Sequence, residues 1–213
     1  MDKSPKFDFK KEFPDLYRPK TNPSLVEVPP MPFFMVDGVG APEGREYQQA
    51  LNLLYSLTFT VKMSKMGTTQ PKGYFDYVVP PLEGLWQGGE LFSGNPNREQ
   101  WRWTSLIRQP DFVTAEVFDW AKETASRKKP DLPFEKVRFE TYEEGLCIQL
   151  LHIGPYAQED RSLALLRNFA EKNGFIQDFS PTRHHHEIYL GDPRKTKPER
   201  LKTILRHPVK RDN

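Results

Sequence analysis

Residues 183–193 read RHHHEIYLGDP, a run that places three histidines, a glutamate and a tyrosine on what reads as one strand. Imidazoles and carboxylates bind metals or move protons near neutral pH, so the stretch is a metal site, an acid/base centre or an ordinary polar strand. Strand alternation separates these options. His184, His186 and Ile188 face one way, and His185, Glu187 and Tyr189 face the other. Three consecutive histidines therefore cannot converge on one ion. His184 and His186 would need a third ligand from His152 or a distant carboxylate, and no HExxH spacing occurs. We expect no metal and no other cofactor. The opposite face is harder to explain, because a glutamate flanked two residues away by His185 and by Tyr189 on a half-buried strand needs a reason to be there. Either it pairs with one of the many arginines or it does chemistry.

Several elements must hold that strand in place. PFFMVDGVG reads as a strand ending in a glycine turn, and in the following REYQQALNLLYSLTFTV the residues Tyr47, Ala50, Leu51, Leu54, Thr58 and Val61 fall at helical spacing. YFDYVVPP and WRWTSLIRQP read as strands separated by the turn-rich LEGLWQGGELFSGNPNREQ. The order then repeats about 114 residues later. LCIQLLHIGPY is a strand ending in glycine and proline, RSLALLRNFAEKNG is a helix closed by Asn173-Gly174, and RHHHEIYLGDP comes next. Between the copies, Val113, Val117, Trp120 and Ala121 mark a helix over about 112–129, with a basic end that suits the helix dipole and Pro130 as its stop.

The expected fold is α+β, built from duplicated strand-helix-strand-strand units over about 28–110 and 137–193. Its antiparallel sheets carry helices on one side and a ligand cleft on the other. Residues 1–27 read as an extended lead-in to a domain over 28–213, and Leu201, Ile204 and Leu205 read as the inward face of a C-terminal helix.

Composition narrows the function classes. A chain of 213 residues, 37% hydrophobic and 28% charged, has material for one sizeable core or two fused halves. Its net charge of +2 is too slight for a general nucleic-acid or membrane-surface binder. Eight Lys/Arg lie in residues 193–213, but a solvated last helix accounts for them, and the proline-rich start is too short for a helix-turn-helix module, so no direct nucleic-acid contact is expected. The single cysteine, Cys147, excludes an internal disulfide framework. With no apolar run long enough to span a membrane, the cytoplasm is the expected location.

Four segments carry a resemblance to a known family: PPLEGLW at 80–86, the helix end LYSLTFTVK, the IGPY turn, and HHEIYLGDP followed by PERLKTILR. Together they resemble the GyrI-like small-molecule-binding family from about Tyr17 to Val209. One departure is Gln87, which stands where stand-alone members often carry a second aromatic. The resemblance implies a pocket in which Glu187 faces aromatic walls, with Trp86, Trp101, Trp103, His185 and Tyr189 as binding residues. It also implies a planar aromatic small-molecule partner. Stand-alone members are linked to hydrolysis of cyclopropane-bearing genotoxins, which would make Glu187 the base and Tyr156 the donor to the forming oxyanion. The alternative is a non-catalytic module that binds or sequesters drugs.

Overall fold

The computed structural model describes residues 5–67, 69–87 and 97–212. Short elements come first: β1 (Phe7–Asp8), α1 (Phe9–Glu12), α2 (Pro14–Tyr17) and β2 (Ser24–Val28). The first repeat comprises β3 (Met31–Val39), α3 (Arg45–Lys62), the two-residue β4 (Tyr77–Val78), β5 (Leu82–Gln87) and β6 (Arg102–Arg108). After α4 (Ala115–Lys128) and β7 (Arg138–Tyr142), the second repeat runs β8 (Gly145–Ile153), α5 (Asp160–Lys172), β9 (Phe175–Gln177), β10 (His185–Tyr189) and β11 (Lys202–Arg211). Met31 and Gly145, where β3 and β8 begin, keep the offset read from the sequence.

Apart from β4, which pairs with β1 in a separate two-stranded sheet, one 9-stranded sheet holds the strands of both repeats in the order β2-β8-β11-β10-β5-β6-β3-β7, with β9 pairing β11. Its pairings are antiparallel. The seam between repeats is β10 on β5, with Glu187 opposite Gly84 and His185 opposite Trp86. The leading strands are exchanged across it. Thus β2, upstream of the first repeat, pairs with β8 of the second, while β7, upstream of the second, pairs with β3 of the first.

The long helices α3, α4 and α5 cover one side of the sheet, as expected, and the short α1 and α2 lie on the other. Leu53, Leu54, Leu57 and Val61 of α3 pack with Ala121 and Ala125 of α4 over Phe34, Trp103 and Ile107. Leu163, Leu166 and Ala170 of α5 pack over Ile148, Leu150 and Leu205. Thr114 caps α4 by accepting from the Val117 backbone N–H at 3.4 Å. Gly174 takes φ +69°, a conformation that ends α5 without the strain a side chain would meet.

Three local expectations need correction. The C-terminal run is strand β11, not a helix. Ile204 and Leu205 are both buried because they face opposite cores, and a run apolar on both faces has no period to distinguish strand from helix. The lead-in is not merely extended. Phe9, Leu16 and Tyr17 are buried against Met31, Phe33, Leu106 and Ile188 on the sheet face away from α3 and α5, so the domain begins well before Val28. In the first hairpin, LEGLWQ is the strand and YFDYVVPP supplies only Tyr77–Val78. The rest of the stretch read as turn-rich, residues 88–96, lies outside the described residues.

The face under the lead-in also accounts for His186. Its Nδ1 lies 2.8 Å from Glu144 Oε2 and its Nε2 lies 2.9 Å from Glu83 Oε2. Arg206 donates to Glu144 Oε2 at 2.8 Å, to Gln149 Oε1 at 3.1 Å and to the Leu16 carbonyl at 2.8 Å, and the Tyr17 hydroxyl donates to Glu83 at 3.1 Å. Burial opposes charge on His186, but the Glu144 charge and its hydrogen bond, then Glu83, outweigh it and raise the imidazole to about 9. Burial likewise opposes ionisation of Glu144, which His186 and Arg206 hold down at about 2. A histidine raised from its ordinary 6.5 stabilises fully below that value and loses its contribution as pH rises through about 9. Thermal melts should therefore show a gap of several degrees between wild type and His186→Gln below about pH 6.5 that narrows above about pH 9.

Candidate functional site

Position in the sheet determines what surrounds Glu187. On β10 its cross-strand neighbours are Gly84 of β5 and Leu205 of β11. Its face is therefore the one on which α3 and α5 pack, and the carboxylate lies between those helices rather than on the side away from them. The far side is filled by the lead-in.

Glu187 keeps 14% side-chain exposure and meets His185 Nε2 at 3.0 Å. His185 Nδ1 lies 2.7 Å from His207 Nε2, and His207 Nδ1 lies 2.7 Å from Gln177 Nε2. Burial, then the neighbouring His185 and Arg167, hold His207 well below the ordinary histidine range, so it is neutral and carries one ring proton. The donors then assign themselves. Gln177 donates to His207 Nδ1, His207 donates from Nε2 to His185 Nδ1, and His185 donates from Nε2 to Glu187. The chain of donors ends on the carboxylate and fixes its orientation.

Aromatic side chains form the walls. The Trp86 indole N–H donates to the Tyr189 hydroxyl at 3.0 Å, and the Tyr47 ring of α3 stacks on Trp86 with centroids 5.9 Å apart. Trp101 meets Trp86 edge-on at 5.6 Å, and Tyr156 meets Tyr189 edge-on at 6.1 Å. Burial raises the phenols of Tyr47 and Tyr189, and burial followed by the Glu187 charge pushes Tyr156 up to about 12. All three remain hydrogen-bond donors at neutral pH. Gly84 explains its place in PPLEGLW, since a Cβ there would lie 3.0 Å from the Tyr189 hydroxyl and 3.1 Å from Trp86 Nε1.

Of the expected site residues, Glu187, His185, Tyr189, Trp86 and Tyr156 come together, with Trp101 at the rim. Trp103 is in a different situation. It is 1% exposed, donates to the Gly40 carbonyl at 3.1 Å and packs under Tyr47 in the core. Trp101→Ala should therefore weaken planar ligands about five- to tenfold with little loss of stability, the effect of one stacking partner. Trp103→Phe should instead lower the melting temperature by a few degrees and spare affinity. Ligand titration and a melt on each variant check this.

Sequence reasoning missed Glu159 and Tyr47. Glu159 directly precedes α5, is 8% exposed, and its Oε1 has no hydrogen-bond partner among the described residues. Burial first, then the charges of Glu187 and Asp160, raise its carboxyl well above the ordinary glutamate range. Acidic residues at a helix start are usually solvated and favoured by the dipole, so IGPYAQED gave no local sign of this burial. Tyr47 lies on the apolar face that the helical spacing predicts, but its contact with Trp86 is a packing of α3 on β5 that spacing alone does not show.

Among the described residues no group of three or more His, Cys, Asp or Glu has the arrangement of a metal site. His152, the remaining histidine weighed as a ligand, lies 2.9 Å from Ser162 Oγ and 3.3 Å from the Pro155 carbonyl. A separate groove of about 420 Å³ opens between α3 and α4, lined by residues such as Phe59, Met63, Trp120 and Lys128. It contains none of the acid/base groups, so the candidate chemistry stays at Glu187.

Comparison with known proteins supplies the family. The model of the GyrI-like small-molecule-binding domain matches residues 110–210. A solved structure described as a hydrolase from Listeria innocua shares 50% identity, with 96% of this chain and 100% of that one covered and a TM-score of 0.89. The chain belongs to the GyrI-like family. A second Listeria innocua structure, described as an uncharacterized conserved protein, shows the same identity and coverage with a TM-score of 0.91. The EcmrR C-terminal domain shares the GyrI-like fold at 13% identity, with 89% of this chain and 98% of that one covered and a TM-score of 0.52. A search of curated proteins found no match. As a GyrI-like domain the chain binds small molecules, and no described helix is long and apolar enough to cross a membrane.

Proposed function

We propose that this GyrI-like protein hydrolyses the strained ring of planar, electrophilic cyclopropanoids and so removes them as DNA-alkylating agents. The observation that carries the reading is the chain of donors from Gln177 through His207 and His185 to Glu187, set beside the rings of Trp86, Tyr189 and Tyr156. A carboxylate oriented this firmly against an aromatic wall is suited to take a proton from water next to a stacked ligand. Stacking on Trp101, backed by the buried Trp86, would hold the planar portion, and Tyr156 would donate to the oxygen on which charge develops. The hydrolase description of the Listeria innocua relative agrees with this reading.

A non-catalytic drug-binding module is the second reading, favoured by the same aromatic wall around a carboxylate, which suits flat cationic ligands. Turnover separates the two. Mass spectrometry of a cyclopropanoid incubated with catalytic amounts of protein should show gain of one water over many turnovers. A protein that only sequesters its ligand would protect up to its own molar amount and leave the mass unchanged.

A further inference from the structure

Hydrolysis of a cyclopropanoid requires one proton to leave water and one to reach the product's oxygen, and Glu187 handles only the first. As water adds to the ring carbon, the breaking C–C bond sends its electron pair through the conjugated system to a carbonyl oxygen, which must end as a hydroxyl. Tyr156 can donate a hydrogen bond there. Burial and the Glu187 charge hold its phenol at about 12, so it keeps its proton.

Glu159 fits the remaining task. Its backbone N–H donates to the Tyr156 carbonyl at 3.1 Å, so the two residues belong to one turn beside the aromatic wall. The buried Glu83 and Glu144 on the far face meet the cations His186 and Arg206, whereas the buried Glu159 feels the charge of a second carboxylate. A buried carboxyl in that situation is most stable as the acid. The titratable groups that act on it are Glu187 of β10 and Asp160 of its own segment, it acts in turn on Tyr156, and His152 of β8 is turned to Ser162 and Pro155. Asp192 adds its charge to Tyr156.

We propose that Glu159 is the general acid paired with Glu187, delivering its proton to the carbonyl oxygen conjugated with the opening ring while Glu187 takes one from water. The role rests on the hydrolytic reading above. The step balances as addition of one water: the hydroxyl bonds to the ring carbon, the strained C–C bond breaks, and the proton from Glu159 completes the product's hydroxyl. Glu159 is then ionised and Glu187 protonated. Passage of one proton from Glu187 back to Glu159 restores the starting state, with no oxidant or reductant needed. The two carboxyls act as a unit that shares one proton, with base and acid distinguished by their surroundings.

The test uses the full chain as wild type, Glu159→Gln, Glu159→Asp and Glu187→Gln, with a neutral cyclopropanoid as substrate. Glu159→Gln should fold, quench its tryptophan fluorescence with ligand at similar concentrations, and lose about 10²–10³-fold in kcat. The alkaline descent of the rate profile, which is deprotonation of the acid, should disappear in this variant, and Glu159→Asp should recover part of both. Carbon-13 NMR of the Glu159 carboxyl gives a readout that needs no substrate. It should titrate well above the ordinary glutamate range in wild type and move down in Glu187→Gln. Full kcat with an unchanged alkaline limb in Glu159→Gln would overturn the acid role alone. If that variant misfolds, a wild-type Glu159 carboxyl titrating in the ordinary range overturns it instead. Absence of turnover by wild type would overturn the hydrolase reading and this role with it.

Discussion

Glu187→Gln should remain folded while turnover of a neutral cyclopropanoid falls by about 10²–10⁴-fold. Glutamine keeps the shape and an oxygen to accept from His185 Nε2, now 3.0 Å from the carboxylate, so the donor chain through His207 and Gln177 survives. Only the ability to take a proton is lost. Affinity for a neutral planar ligand should persist because stacking dominates its recognition. A pure binding module responds differently, with cationic ligands weakened and no rate to lose. A structural ion pair with arginine, the bland alternative raised by the sequence, does not describe this residue. Glu187 meets His185, and the buried Arg206 meets Glu144 on the opposite face. The checks are a melt, a ligand titration and a hydrolysis time course, and unchanged turnover by a folded variant would end the general-base role.

Arg206→Met should destabilise the protein by about 3–5 kcal/mol, the usual cost of removing one partner from a buried ion pair. Its guanidinium gives Glu144, Gln149 and the Leu16 carbonyl their hydrogen bonds, and methionine replaces none of them. His186 remains beside Glu144, so the carboxylate is left half compensated rather than bare. Loss of the Leu16 contact should also loosen the lead-in. Denaturant unfolding measures the total, and hydrogen exchange over residues 9–17 should accelerate more than exchange in α3. Losses below about 1 kcal/mol would mean the network is no more than a hydrated surface pair.

How much of this was legible depended on whether the deciding contact was local. Alternation along RHHHEIYLGDP separated His186 from His185 and Glu187, and the structure sends them to opposite faces because period two is a property of the strand alone. Gly174 and the IGPY turn were equally readable, since a left-handed glycine or a proline acts where it stands. β11 was not, because a strand buried on both faces erases its own period. LEGLWQ was misread for a related reason. Gly84 signals a turn in isolation, yet it sits mid-strand to leave room for Trp86 of its own strand and for Tyr189, which arrives from across the seam. Glu159 could not be found at all without the fold, because its burial and its carboxylate neighbour both come from the other elements of the site.

The exchanged leading strands bear on how the chain reaches its native state. Pairing β2 with β8 and β7 with β3 means that neither repeat finishes its sheet with its own residues, and the β5–β10 seam joins segments about one hundred residues apart in the chain. Such high contact order favours slow, cooperative folding over stepwise docking of two independent halves. Either repeat expressed alone should therefore fail to fold, and a ribosome-bound chain should stay unfinished until β11 has emerged. Because Glu187 and Trp86 lie on the two strands of that seam, the candidate site comes into being only with the last long-range closure.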